Sequence, residues 1–263
     1  MPSPAVEALT VDGLQGFRCP EHFAAHGVRH VFGGRNQADQ GNLALSGGRD
    51  RTSALACRNV WLQSLGCHSE DLVVGSQVHG HHVAVVDEQH RGRGAQSPES
   101  VIPESDGLFT MTRGLPLYIA VADCGGILLS AKQADRRALA VVHAGWRGLV
   151  SGILTEAMHH FADAGFSPSN MRAWIAPAIA MRSYEVGPEV GEPAPECARE
   201  PGREDRWQVD IGLWAEESLR QLDIDPQRIL RAGLDTGCDE RLFSHRRQGV
   251  GAGRNGLFAV LAD

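Results

Sequence analysis

Apolar positions recur along the chain with two different periods, and each change of period marks a new element. In SALACRNVWLQSLG (53–66), Leu55, Val60, Trp61 and Leu65 fall at roughly helical spacing, and Gly66 ends the run. LVVGSQVHG (72–80) and HVAVVD (82–87) predict two strands separated by a turn, and the polar stretch EQHRGRGAQSPES (88–100) predicts a surface loop. Three strand-length apolar runs follow, LPLYIAVAD (115–123), ILLS (127–130) and RALAVVHA (137–144). GLVSGILTEAMHHFADAG (148–165) is the clearest helix, because Leu149, Ile153, Ala157 and Phe161 repeat every four residues and Gly165 is a natural stop.

Beyond that helix, MRAWIAPAI (171–179) predicts a strand. Residues 187–206, rich in Pro, Gly and charge, predict a surface excursion or flap. Asp210 is placed to cap a helix over 211–222 with Ile211, Trp214, Leu219 and Leu222 on its apolar side, and 228–238 supplies a late strand and loop. Strands and helices intermingle without regular βαβ alternation. The pattern therefore favours a mixed α+β or layered αββα architecture over a doubly wound dinucleotide fold, and nothing in composition divides 1–263 into two domains. No GxGxxG after a strand, GxxxxGK[ST] or HExxH occurs.

Composition narrows the function classes. The 263 residues are 42% hydrophobic and 22% charged, with a net charge of -7. An acidic chain is a poor general ligand for nucleic acid polymers or acidic lipid. It has no apolar run long enough for a membrane helix, and its first residues show neither a basic start nor an apolar core, so a cytoplasmic protein is expected. No obligate protein partner is predicted. Lys132 is the only lysine, so nearly every fixed side-chain cation is an arginine, the side chain whose planar fork suits phosphate and carboxylate. The six cysteines include no CxxC pair, and any metal site must draw its ligands from distant parts of the chain.

Three segments deliver reactive side chains into glycine-rich turns: Ser76-Gln77-Val78-His79-Gly80, Ala122-Asp123-Cys124-Gly125-Gly126 and His143-Ala144-Gly145-Trp146-Arg147-Gly148. One thiolate and two neutral imidazoles make a zinc ligand set whose fourth position stays open for chemistry. Read by residue type alone, His81 and His82 compete with His79, and Cys124 with His143 also reads as a nucleophile–base pair without metal. Asp123 beside the thiolate is placed to orient an imidazole, to bind substrate or to move protons. Arg147 opens the best helix, where side chain and amides both suit an anion. Trp146 either stacks on a flat ring or seals the corner. Arg58 occupies an ordinary helical position, and the cationic, glycine-rich HRRQGVGAGRNG (245–256), with Arg247, reads as a phosphate loop or a solvated basic loop.

The pieces SQVHG, ESDGLFT, VADCGGILLS, AVVHAGWRGLVSGIL, SYEVGPEV and FSHRRQGVGAGRNG occur in an order that resembles the laccase-domain family of multicopper polyphenol oxidoreductase laccase-like proteins. The resemblance spans about residues 58 to 261, ADC followed by HAGWRG is its most specific part, and it implies an α+β fold, a single-domain layered αββα sandwich with mixed sheets. It implies a metal held by His79, Cys124 and His143, which selects His79 over its neighbours, with zinc first and copper as the alternative. It further implies phosphorolysis of purine nucleosides, with adenosine deamination attributed to some members. Arg58, Gln77, Trp146, Arg147 and Arg247 then hold nucleoside and phosphate. Rival activities are an editing hydrolase that removes L-serine from a nucleotide-linked cell-wall precursor, a copper-dependent polyphenol oxidoreductase and a non-catalytic metal-stabilised binding protein. The chain departs from the family pattern at Cys57, where an asparagine is usual, at Gly125-Gly126, at AMRS (180–183) and at Asp235-Thr236.

Overall fold

Two six-stranded mixed sheets packed face to face form the centre of the molecule. The computed structural model describes residues 6–36, 41–47 and 50–262. The first sheet runs, edge to edge, through Glu7–Val11, Leu14–Arg18, Val28–Gly33, Asn255–Leu261, Leu117–Val121 and Val73–Val74. The second runs through Ile229–Arg231, Met171–Ile175, Gly125–Gln133, Arg136–Ala144, Gly107–Thr110 and Val83–Val85. Neighbours are antiparallel except Val73–Val74, Ile229–Arg231 and Val83–Val85, each of which pairs in parallel with its inner neighbour.

Alternation along each strand explains the layering, since successive side chains point to opposite faces. Leu128 and Val141 meet Phe32, Ile119 and Leu257 between the sheets. Ile127, Leu129, Ala140 and Val142 turn outward against Leu154, Ala157 and Phe161 of the helix Ile153–Asp163 and against Trp214 and Leu219 of Ile211–Gln221. On the far side, Val31, Tyr118 and Phe258 receive Trp61 and Leu62 of the helix Arg51–Ser64. Helix, sheet, sheet, helix is thus the order of layers, one of the two arrangements the periodicities allow and the one the family resemblance implies. Strands buried on both faces lose their alternation, which is why ILLS and RALAVVHA read as continuous apolar runs.

Several elements differ from the expectation. The predicted pair of strands over 72–87 does not form one hairpin, because Val73–Val74 lies in the first sheet and Val83–Val85 in the second. The helix over 148–165 is two helices, Trp146–Val150 and Ile153–Asp163, broken where Gly152 takes φ +85°. The buried stripe of the first long helix is Ala54, Cys57, Arg58, Trp61 and Leu62; of the apolar positions read from the sequence, Trp61 and Leu65 are buried and Leu55 and Val60 only partly so, and an arginine lies inside the stripe. Eight of the described strands lie outside the periodicity reading, Glu7–Val11, Leu14–Arg18, Val28–Gly33, Gly107–Thr110, Glu185–Val186, Arg199–Pro201, Trp207–Val209 and Asn255–Leu261.

Residues 88–100 carry two short 3-10 turns, Glu88–His90 and Pro98–Ser100. Segment 187–206 contains the short helix Pro188–Gly191 and the strand Arg199–Pro201. That strand joins Trp207–Val209 and Glu185–Val186 in a small antiparallel sheet, with Val190, Ala194 and Ala198 buried. Asp210 caps its helix as expected, accepting from the Leu213 amide at 2.7 Å. Among the described residues, no helix is long and apolar enough to cross a membrane.

Candidate metal centre and its cavity

His79, Cys124 and His143 converge where the chain passes between the two sheets. The loop 75–82 leaves the first sheet and enters the second. The turn at Asp123–Cys124 does the same between Leu117–Val121 and Gly125–Gln133, and His143 lies near the end of Arg136–Ala144. The ligand atoms of the three residues all lie within 4.8 Å of one another. A tetrahedral zinc with sulfur and nitrogen ligands separates its donors by about 3.3–3.8 Å, so the set fits such an ion after small side-chain adjustment. Gly145 keeps the space clear, because a Cβ there would come within 3.1 Å of the Cys124 sulfur and 3.6 Å of the His79 ring.

The backbone around these residues is unusual. Gln77, His79 and Asp123 are non-glycine residues with φ of +47°, +62° and +86°. Such conformations cost roughly 1–3 kcal/mol each and persist where neighbours over-determine them. Here the neighbours are visible. The Gln77 amide donates to the Ala120 carbonyl at 2.7 Å and accepts from the Ala120 N–H at 2.8 Å, fastening the loop to the first sheet. Its polar atoms therefore pin the backbone, where the sequence reading gave them to substrate.

Asp106 holds the other end. Its fully buried carboxylate accepts from the amides of Val78 at 3.0 Å, His79 at 2.9 Å and Gly80 at 2.8 Å, and meets His143 Nδ1 at 2.8 Å. Sequence reasoning quoted this residue only as part of ESDGLFT. The available signal was a carboxylate directly before an apolar strand, and that identifies no imidazole partner. Asp123, for which orienting an imidazole is one reading beside substrate binding and proton transfer, accepts from the Thr236 hydroxyl at 2.6 Å and the Arg246 amide at 2.6 Å, holding the 235–246 segment against the site.

Charge in the metal-free site follows from these contacts. Burial pushes the Cys124 thiol up, but the His143 and His79 imidazoles more than offset it and bring it down to about 6. Burial pushes His143 down, yet the thiolate and Asp106 raise it to about 9. Burial raises the Asp106 carboxyl, while His143 and the loop amides bring it below the ordinary carboxylate range. Without metal the resting form near neutral pH is a thiolate–imidazolium pair backed by a carboxylate.

The trio opens on a cavity of about 670 Å³, a size typical of small-molecule sites. Arg58, Gln77, Asp123, Trp146 and Arg147 line it, together with Tyr118 and Tyr184, which the sequence reading does not single out, and with Arg246 and Arg254 of the candidate phosphate loop 245–256, where that reading singles out Arg247. Arg58 is only 4% exposed, lies 4.5 Å from the Tyr118 ring and donates to the Leu43 carbonyl at 2.8 Å. Arg147 stacks on Trp146 at 4.3 Å, and Arg246 on Tyr184 at 4.8 Å. Arg247 is not among the lining residues. Its guanidinium donates to the carbonyls of Asp239 and Leu242, and the short helix His245–Gln248, capped by Ser244, presents Arg246 to the cavity instead.

Known proteins resemble the chain in fold and in sequence. The solved structure of YlmD from Geobacillus stearothermophilus superposes with a TM-score of 0.90 at 26% identity, covering 100% of both chains. A hypothetical protein YfiH from Bacillus licheniformis shares the fold, with a TM-score of 0.85 at 23% identity over 94% of this chain and 96% of that one. In sequence, a purine nucleoside phosphorylase of Xylella fastidiosa is 36% identical over 71% of this chain and 69% of its own length. A protein named adenosine deaminase RL5, from an unknown prokaryotic organism, is 28% identical over 94% of both. The model of the multi-copper polyphenol oxidoreductase laccase family matches residues 25–262 and so takes in all three metal-site residues and the cavity around them. By that match, and by relatives alike in sequence and in fold, the chain belongs to the multi-copper polyphenol oxidoreductase laccase family.

Proposed function

We propose that the protein is a zinc-dependent purine nucleoside phosphorylase, acting at the His79–Cys124–His143 site in the cytoplasm. The observation that carries this reading is one cavity that joins a three-ligand metal site to the arginines Arg58, Arg147 and Arg246 and the aromatic rings of Trp146 and Tyr184. Arginine forks suit a phosphate, and an aromatic face suits a purine. The relative named purine nucleoside phosphorylase favours the same substrates.

Phosphorolysis forms a bond from a phosphate oxygen to the anomeric carbon while the glycosidic C–N bond breaks and the departing base takes up a proton. In this reading Arg58 and Arg147 bind and orient the phosphate, Trp146 and Tyr184 hold the base, and Asp123 keeps Arg246 at the cavity wall through its amide. A bound zinc ion would supply Lewis-acid polarisation of a reacting oxygen or of the base.

Deamination of adenosine is a second activity of the same site, favoured by the relative of that name that aligns over 94% of the chain. The hydrogen-bonded run from Asp106 to His143 beside Cys124 also favours an amide hydrolase with Cys124 as nucleophile, the serine-editing alternative. The test is a parallel assay of the metal-quantified protein. Adenosine plus phosphate should yield ribose 1-phosphate, inosine should appear if deamination accompanies it, and a serine-containing nucleotide precursor should stay intact. Serine release without ribose 1-phosphate would replace the phosphorylase reading with editing. Copper occupancy with oxygen-dependent turnover of phenols would replace it with oxidation.

A further inference from the structure

Asp106 carries more of the metal centre than any contact of a single ligand would require. Backbone register fixes it opposite His143: Gly107 pairs with Val142, and the His143 amide donates to the Asp106 carbonyl at 2.7 Å. Its side chain then divides its work. One oxygen meets His143 Nδ1 and the His79 amide, and the other accepts from the amides of Val78 and Gly80. With Nδ1–H donated to the carboxylate, only Nε2 of His143 is left to face a metal, and a carboxylate partner makes that nitrogen a stronger donor. The same carboxylate gathers three successive N–H groups around His79, whose φ of +62° aims the imidazole at the site. His79 itself is exposed, and its imidazole makes an edge contact with His143 at 4.8 Å between ring centroids and a hydrogen bond with Cys124.

We infer that Asp106 is a positioning residue that couples the two histidine ligands, setting the tautomer of His143 and the placement of His79 through one buried carboxylate. The inference rests on the metal reading of the site and not on any particular reaction. Asparagine is the discriminating replacement. It keeps the shape but turns one acceptor oxygen into an NH₂ group, which faces N–H donors whichever way the amide is oriented. One of the two ligands must then lose its support.

The experiment is zinc competition between the purified protein and a chromophoric chelator, with wild type and Asp106→Asn compared at matched folded fraction. The variant should bind zinc roughly 10- to 100-fold more weakly. In a His143→Ala background the Asp106→Asn loss should shrink, because half of what Asp106 supports is already gone. Equal affinity of wild type and Asp106→Asn, or an undiminished loss in the His143→Ala background, would overturn the inference. Should the variant not fold, the zinc-loaded wild type labelled with ¹⁵N-histidine still decides. Its His143 must carry a slowly exchanging proton on Nδ1, and a proton on Nε2 would end the proposal. A wild type that takes up no zinc sinks the proposed function itself, an outcome separate from all of these.

Discussion

At the scale of single residues, the feature with the largest chemical consequence is the thiolate–imidazolium pair of Cys124 and His143. The thiol is brought down from 9.0 to about 6, so in metal-free protein its reaction with iodoacetamide should rise through about pH 6, well below an ordinary cysteine. Replacing His143 by alanine removes the principal stabiliser and should move that rise upward, and zinc should suppress the reaction. A rise near pH 9 in the wild type would mean that the pair does not form. The same charges govern metal uptake. Between about 6 and about 9 the thiol has already lost its proton and His143 still holds one, so zinc must displace about one proton from the imidazole. Zinc affinity should therefore increase with pH across that window, and calorimetry in buffers of different ionisation enthalpy should count the released proton.

At the scale of elements, the chain uses glycine where the site cannot accept a side chain. Gly145 precedes the helix Trp146–Val150 with φ −76° and ψ 166°, a conformation open to alanine, so Gly145→Ala carries no backbone strain. Its Cβ would instead crowd the Cys124 sulfur at 3.1 Å. The expected result is weaker zinc binding with a thermal midpoint close to wild type, read by chelator competition and by calorimetric melting. Removing a cap acts in the reverse way. Asp210→Ala should lower stability by about 1 kcal/mol, measured by urea unfolding, while zinc affinity stays near wild type because the helix it caps supplies no ligand.

The elements also show how far the sequence reading reaches. The Leu149, Ile153, Ala157 and Phe161 stripe is legible because one helical face meets one apolar layer, and all four residues are buried. The break at Gly152 is less legible, because the apolar spacing continues across it. Arg58 is hidden for a related reason. Its position belongs to the buried stripe, but a charged residue is counted as polar by any periodicity, and only the cavity and the Tyr118 ring explain its burial.

At the scale of the whole molecule, the candidate metal site lies on crossings between layers. His79 and Cys124 stand on segments that each join the first sheet to the second, and His143 belongs to the second sheet alone. An ion bound by all three ties two crossings to one strand, so it should stabilise the folded chain by mass action. At a thousandfold excess over Kd this amounts to about 4 kcal/mol. The thermal midpoint of wild type should accordingly climb with zinc concentration, and that of His79→Ala should climb much less. Identical responses would place the stabilising ion elsewhere.

Residue chemistry and local order named the candidate ligands, because ligand type, strand ends and glycine turns are local properties, and the resemblance of the motif run to a family chose His79 over His81 and His82 to join Cys124 and His143. The layered α+β architecture was legible for the same reason, since each period reports a face that must be buried. Tertiary structure alone decided which partners those faces meet. It put Asp106 rather than Asp123 against an imidazole, gave the amide of Gln77 to Ala120, and turned Arg246 into the cavity in place of Arg247. Each of those choices depends on the register between strands distant in sequence or on a left-handed backbone residue. Neither leaves a periodic trace in the chain, because both arise only when the two sheets come together.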